Sequence, residues 1–423
     1  MGASEVRELV RHEIGGVPVR ELAREFGTPT YVYDESVIRQ RVEECRVFDV
    51  TRFAQKACSN LAILDLMRRL GVVVDAVSGG EIQRALRVGY QPQGDPAPIV
   101  YTADIFDRES LAMCRDLGLH VNVGSPDMID QLGEVAPGSN VTLRINPGFG
   151  HGHSRKTNTG GDQSKHGIWH EQIDDCLLRA DRHGVAVTGV HMHIGSGTDM
   201  EHLAQVCGAM EAAVEKVGRT VTTISAGGGL STPYRPGDVR TDVRAYYQLW
   251  DATRQRLAER LGHPLHLELE PGRYLVAESG YLITEIRAIK QMGGNLFYLL
   301  DAGFNNLARP ILYGAYHPMS IAPASGHAPG AGLRPVVVGG PLCESGDIFT
   351  QEEGGFVSTR ELPGAQVGDH LVIECAGAYG FVMASNYNSK PLAAEVLVRD
   401  GQPLLVRSRQ TFEDLIAGER VPG

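Results

Sequence analysis

Residues 71–103, GVVVDAVSGGEIQRALRVGYQPQGDPAPIVYTA, contain one complete structural repeat. VVVDAVS and PIVYTA are short, continuous apolar runs rich in β-branched residues, as expected of parallel strands buried on both faces. Between them, GEIQRALRVG has helical spacing and is followed by a Gly/Pro-rich connection. A strand, a helix and a second strand of this length form a βαβ unit. The pattern extends both ways. TRFAQK precedes it, and HVNVGS, VTLRINP, VTGVHMHIGS, TTISAGGG and LHLELEPG follow, which makes eight strand candidates. NLAILDLMRRL, SPDMIDQLGEV and MEHLAQVCGAMEAAVEKVG are amphipathic helix candidates between them. Eight strand–helix repeats predict an α/β fold of the (β/α)8 TIM type over residues 30–280.

Beyond residue 280 the texture changes. GYLITEIRAIKQMGG, LFYLLDAGF, RPVVVGGPLCESGDIF, GDHLVIECAGAYG and AAEVLVRDGQPLLVRSR are strand candidates separated by Gly, Pro and Asp turns. They predict a second, β-rich domain. TYVYD, residues 30–34, also reads as a strand, and the pattern alone leaves open which domain holds the first 29 residues.

The chain has 423 residues, 42% hydrophobic and 22% charged, with a net charge of −11. Such a composition supports a large core. The negative charge argues against nucleic acid or an anionic membrane as the main partner. The seven cysteines, at 45, 58, 114, 176, 207, 343 and 375, form no CxxC pair, which argues against a disulfide framework or a zinc knuckle. With no leader-like or membrane-length apolar run, a soluble cytoplasmic protein is expected.

In a barrel of this type the chemistry lies at the C-terminal ends of the strands. Those ends carry Lys56, Ser78, Thr102, Ser125, Asn146, His193 with Ser196, Gly227–Gly228–Gly229 and Glu270. Each residue alone has a plain alternative. Lys56 could be a surface lysine, and the glycines a tight turn instead of an anion cradle. His191 and His193 could be core residues, metal ligands or, for one of them, a ring stacked on an aromatic cofactor. Glu270 and Arg273 flank Pro271–Gly272 and could form a surface ion pair. Arg309, Tyr313, Cys343, Glu344 and Tyr379 lie in glycine-rich segments of the second domain. Together, a lysine, an anion cradle, a flat ring and a carboxylate are the set that pyridoxal phosphate requires.

FAQKACSN, GVVVDAVSGGEI, HMHIGSG, SAGGGLS, EPGRYLVAESG, DAGFNNLARPILYGAYH, GPLCESGDIF and GAYG occur in the order seen in one family and cover nearly the whole chain. The sequence resembles the fold-type III pyridoxal-phosphate-dependent decarboxylases, the ornithine, arginine and diaminopimelate group. That resemblance implies an alanine-racemase-like two-domain architecture, with residues 1–29 joining 281–423. It implies that Lys56 carries the cofactor, His193 stacks on its ring and Glu270 pairs with its nitrogen. Ser196, Gly227, Gly228, Gly229, Pro271, Gly272, Arg273 and Tyr379 would hold the cofactor. Arg273, Arg309, Tyr313, Glu344 and Tyr379 would bind substrate, and Cys343 would donate a proton. It further implies a homodimer with shared active sites and no metal. The member it most resembles acts on meso-2,6-diaminopimelate and releases L-lysine and CO2. The alternatives are an ornithine- or arginine-type decarboxylase and, from another class, a metal-dependent barrel hydrolase.

Overall fold

The computed structural model describes residues 9–150, 160–193, 200–325 and 330–422. The chain divides into two compact units. One comprises residues 40–232 and 239–275, the other 1–39, 233–238 and 276–423.

The first unit is a closed parallel barrel. Its strands run Val50–Ala54, Val73–Ala76, Ile99–Ala103, His120–Val123, Asn140–Asn146, Ala186–His191, Thr223–Ser225 and His266–Leu269. The last pairs with the first, and Ala186–His191 pairs with both Asn140–Asn146 and Thr223–Ser225, which completes the ring. All eight coincide with the apolar runs in the sequence. The runs are continuous because both strand faces are covered, one by barrel filling and the other by helices. Several polar residues at the strand ends serve the helices that follow. Asn60 caps Leu61–Arg69 by accepting from the Ala62 N–H, and Ser78 caps Gly79–Arg87 through the Glu81 N–H. These contacts satisfy otherwise orphaned helix donors.

A charged pair sits within the barrel filling. Arg52, 1% exposed, donates to Glu268 at 3.0 Å and to the carbonyls of Ala97 and Val74 at 2.7 and 3.3 Å. Removing one partner of a buried pair leaves the other charge uncompensated. Glu268→Ala is therefore expected to lower unfolding free energy by about 3–5 kcal/mol, measured by urea denaturation; Glu268→Gln, which keeps an acceptor, should lose less.

The second unit is built on a sheet whose central strand, Gly280–Met292, pairs with Thr30–Asp34, Asn295–Leu300 and His370–Ile373. Thr30–Asp34 also pairs with Ala394–Arg399, so TYVYD belongs to this sheet. The barrel unit accordingly starts at Gln40 and not at the expected residue 30. Ile14, Val17, Val19 and Leu22 pack with Val32, Ile283, Val372, Val396 and Val398, which fixes the N-terminal segment here. Ala394–Arg399 and Gln402–Arg407 form a hairpin whose turn residues, Asp400 and Gly401, both have positive φ, as a tight two-residue hairpin turn requires. Among the described residues no helix is long and apolar enough to cross a membrane.

Candidate active site

Lys56 lies in a single 3-10 turn, Gln55–Ala57, directly after the first barrel strand. Its side chain is exposed while Gln55 and Ala57 are buried, so the turn lifts it out of the barrel filling. The next barrel neighbour is the EPGR segment. The Ala54 N–H donates to the Pro271 carbonyl at 3.3 Å. A Cβ on Gly272 would fall 3.1 Å from both the Ala54 carbonyl oxygen and Ala57 Cβ. Glycine thus lets the two strand ends meet.

Glu270 stands at the end of its own strand, buried. Its Oε2 lies 2.8 Å from His191 Nε2, and its Oε1 accepts from the Ser225 hydroxyl at 2.8 Å. Burial pushes this carboxyl up, but the charge and hydrogen bond of His191, with the Ser225 hydroxyl, outweigh it and hold Glu270 below the usual carboxylate range. His193 Nδ1 accepts the Gly228 N–H at 2.9 Å, which leaves the ring proton on Nε2. Burial, and then the nearby charges of Arg144 and Lys56, hold this imidazole well below its ordinary value, so it is neutral at physiological pH.

The glycine run is shaped by these contacts. Gly227 has φ +62, and a Cβ there would lie 2.5 Å from the Met192 carbonyl oxygen. A Cβ on Gly228 would lie 2.5 Å from the Glu270 carbonyl oxygen. Expected as an anion cradle, the run is also a packing device, since the Gly228 N–H is engaged by His193. Ser196 lies outside the described residues.

Sequence reading missed Asp75. It is buried, and its Oδ1 has no hydrogen-bond partner. Burial, followed by the charge of Glu270, pushes it up to about 6, while Thr102 and Lys56 draw it down. The signal was the lone charge inside VVVDAVS. Arg144, the lone charge inside VTLRINP, carried the same signal, whereas Ser225 was missed because a serine at the end of an apolar run looks unremarkable.

The second unit holds the other candidates. Arg309 is buried at the start of the short helix Arg309–Tyr313. Its guanidinium lies 4.8 Å from the Tyr234 ring centroid, and Nη1 is 2.8 Å from His317 Nε2. His317 Nδ1 donates to the Glu374 carbonyl at 3.0 Å, so Nε2 is the acceptor that Arg309 needs. Tyr313 is half-buried at the helix end. Cys343 and Glu344 are exposed. A Cβ on Gly346 would fall 2.9 Å from Ile311 Cδ1, so glycine lets the cysteine loop lie against the helix of Arg309 and Tyr313. Tyr379 is held at φ +55, a costly backbone for a bulky residue, between glycines where the chain passes close to Val276 and Ala376.

Three comparisons bear on this geometry. Residues 36–277 match the family model described as the pyridoxal-binding domain of pyridoxal-dependent decarboxylases. The diaminopimelate decarboxylase of Escherichia coli K12 is 56% identical over 402 residues, covering 94% of this chain and 95% of the relative. The chain belongs to the diaminopimelate decarboxylase family. A crystal structure of a diaminopimelate decarboxylase, 55% identical, superposes with a TM-score of 0.92 over 94% of this chain and 95% of that one. The diaminopimelate decarboxylase of M. jannaschii in complex with L-lysine, 30% identical, superposes with a TM-score of 0.84 over 96% of this chain and 95% of that one. Membership in this family sets aside the metal-dependent hydrolase.

Proposed function

We infer that the chain is a pyridoxal-phosphate-dependent carboxy-lyase that converts meso-2,6-diaminopimelate to L-lysine and CO2. One observation carries this reading: the carboxylate of Glu270, kept ionised by His191 and Ser225, stands in the turn bonded to the strand end that carries Lys56. The residues fit the cofactor. Both Glu270 oxygens are engaged once, so each retains a lone pair for the N–H of a pyridine ring.

When bound, pyridoxal phosphate supplies an electron sink for the charge that departing CO2 leaves on the substrate Cα. Lys56 would provide the primary amine that holds it, and Glu270 would favour the protonated ring nitrogen. His193, flat and uncharged, offers a stacking face without competing for the ring proton. Gly227–Gly229, Ser196 and the Pro271–Gly272–Arg273 backbone would hold the phosphate. Arg309 grips the distal carboxylate of the substrate, preset by His317 and Tyr234, with Arg273, Tyr313 and Tyr379 assisting. Glu344 receives the distal ammonium, and Cys343 returns a proton to Cα. The functional assembly is a homodimer in which the Cys343–Glu344 loop serves the partner subunit's site.

Ornithine and arginine lack the distal carboxylate, and a buried guanidinium without its anion would disfavour them. The purified holoenzyme, given each amino acid in turn, is expected to release lysine from meso-diaminopimelate and to leave ornithine and arginine essentially unchanged. Faster turnover of ornithine would overturn the substrate assignment.

A further inference from the structure

Residues 386–391, NYNSKP, form a turn in which Tyr387 packs on the Phe304 ring at 5.1 Å, a contact that does not account for the backbone of the two residues after it. Asn388 has φ 55 and ψ 29, and Ser389 follows with φ 53. Two successive non-glycine residues in the left-handed region cost about 1 kcal/mol or more each. Both side chains are exposed, so no buried contact offsets that cost. The turn is nonetheless fixed from outside. Asn386 Nδ2 donates to the Lys390 carbonyl at 2.9 Å and to Gln410 Oε1 at 2.7 Å, and the same Gln410 oxygen accepts the Leu392 N–H at 2.9 Å.

What the strained backbone achieves is to aim one atom. Asn388 Oδ1 accepts the N–H of Cys343, 45 residues away, at 2.9 Å. The preceding N–H, of Leu342, is held by Asp347 Oδ2 at 2.8 Å, while Asp347 Oδ1 accepts from Phe304 at 2.7 Å. Gly303 and Gly340 leave space for that carboxylate, since a Cβ on either would come within 2.8 and 2.2 Å of its oxygens. Cys343 is thus pinned from both sides, through Leu342 by a buried aspartate and through its own amide by Asn388.

We propose that Asn388 is a positioning residue for Cys343, and that its left-handed backbone is retained to direct Oδ1 at the cysteine amide. The inference rests on the reading of Cys343 as proton donor. Asparagine tolerates the left-handed region better than most residues, and unlike glycine it brings an acceptor.

Two substitutions separate geometry from bonding. Asn388→Gly keeps the backbone without strain and deletes the acceptor. Asn388→Asp keeps the acceptor. In the holoenzyme, Asn388→Gly is expected to lower kcat about 10-fold, since small misplacements of a reacting group are costly. KM should stay within about 2-fold, cofactor absorbance should be unchanged, and iodoacetamide should modify Cys343 several-fold faster by mass spectrometry as the loop loosens. Asn388→Asp should restore kcat. The proposal falls if Asn388→Gly keeps wild-type kcat and Cys343 reactivity, or if Asn388→Asp is as impaired as the glycine variant. Cys343→Ala isolates the underlying reading: if that variant keeps full turnover while Asn388→Gly still changes Cys343 reactivity, the proton-donor role fails and the positioning contact stands.

Discussion

Lys56→Ala is expected to yield a folded, colourless protein whose turnover is lower by about 10⁴-fold, because proton transfer alone contributes about 10²–10⁴ and covalent attachment is lost as well. The fold should survive because the Lys56 side chain is exposed and the turn that bears it is held by its backbone: the Cys58 N–H bonds to Gln55, and Ala54 bonds to Pro271. The thermal midpoint should move little. Lys56→Arg sharpens the test. It keeps a cation near Asp75, Glu81 and His193, whose ionisation responds to the charge of Lys56. A guanidinium does not deprotonate, so it cannot serve as the attaching amine. Arginine should therefore be as inactive as alanine, although it preserves the electrostatics. Visible absorbance with wild-type turnover in either variant would refute the assignment of Lys56.

The barrel was legible because its strands are buried on both faces, and such strands cannot hide their apolar runs. Lys56, His193, the glycine run and Glu270 stand out as candidates in the sequence because each interrupts an apolar run at its C-terminal end. Position along the strand does not report what a polar residue does there. Ser78 and Asn60 close helix termini. Asn146 ties the base of the following loop, bonding Gly148, Gly161 and His166. The boundary at residue 30 failed for a related reason. TYVYD has the pattern of a buried strand, but its partners, Gly280–Ile283 and Ala394–Val398, lie hundreds of residues away and no local pattern names them. Tyr234 and Asn388 were invisible because each acts through contacts with residues far along the chain.

Glu270→Gln is expected to lower kcat by about 10²–10³-fold, the usual cost of removing one preorganised electrostatic partner. The variant should still fold. Glutamine keeps one oxygen to accept from Ser225, and its amide can donate to His191 Nε2 with an imidazole proton on Nδ1. The loss is then the negative charge itself. The charge acts on stability with a definite sign. Glu270 is depressed below its unfolded value of about 4.3, so its ionisation stabilises the fold above that pH, and this contribution fades as pH falls toward the folded value. Asp75 has the opposite sign. It is raised to about 6 by burial and then by Glu270, so its contribution is present below about 3.9 and is lost as pH rises through about 6. Removing the Glu270 charge should draw Asp75 down and move that loss to lower pH. Urea denaturation from pH 4 to 8 should therefore show a smaller fall in stability between pH 5 and 7 in Glu270→Gln than in wild type. A wild-type kcat would remove Glu270 from the chemistry, and an unchanged stability profile would show that the two carboxylates do not interact.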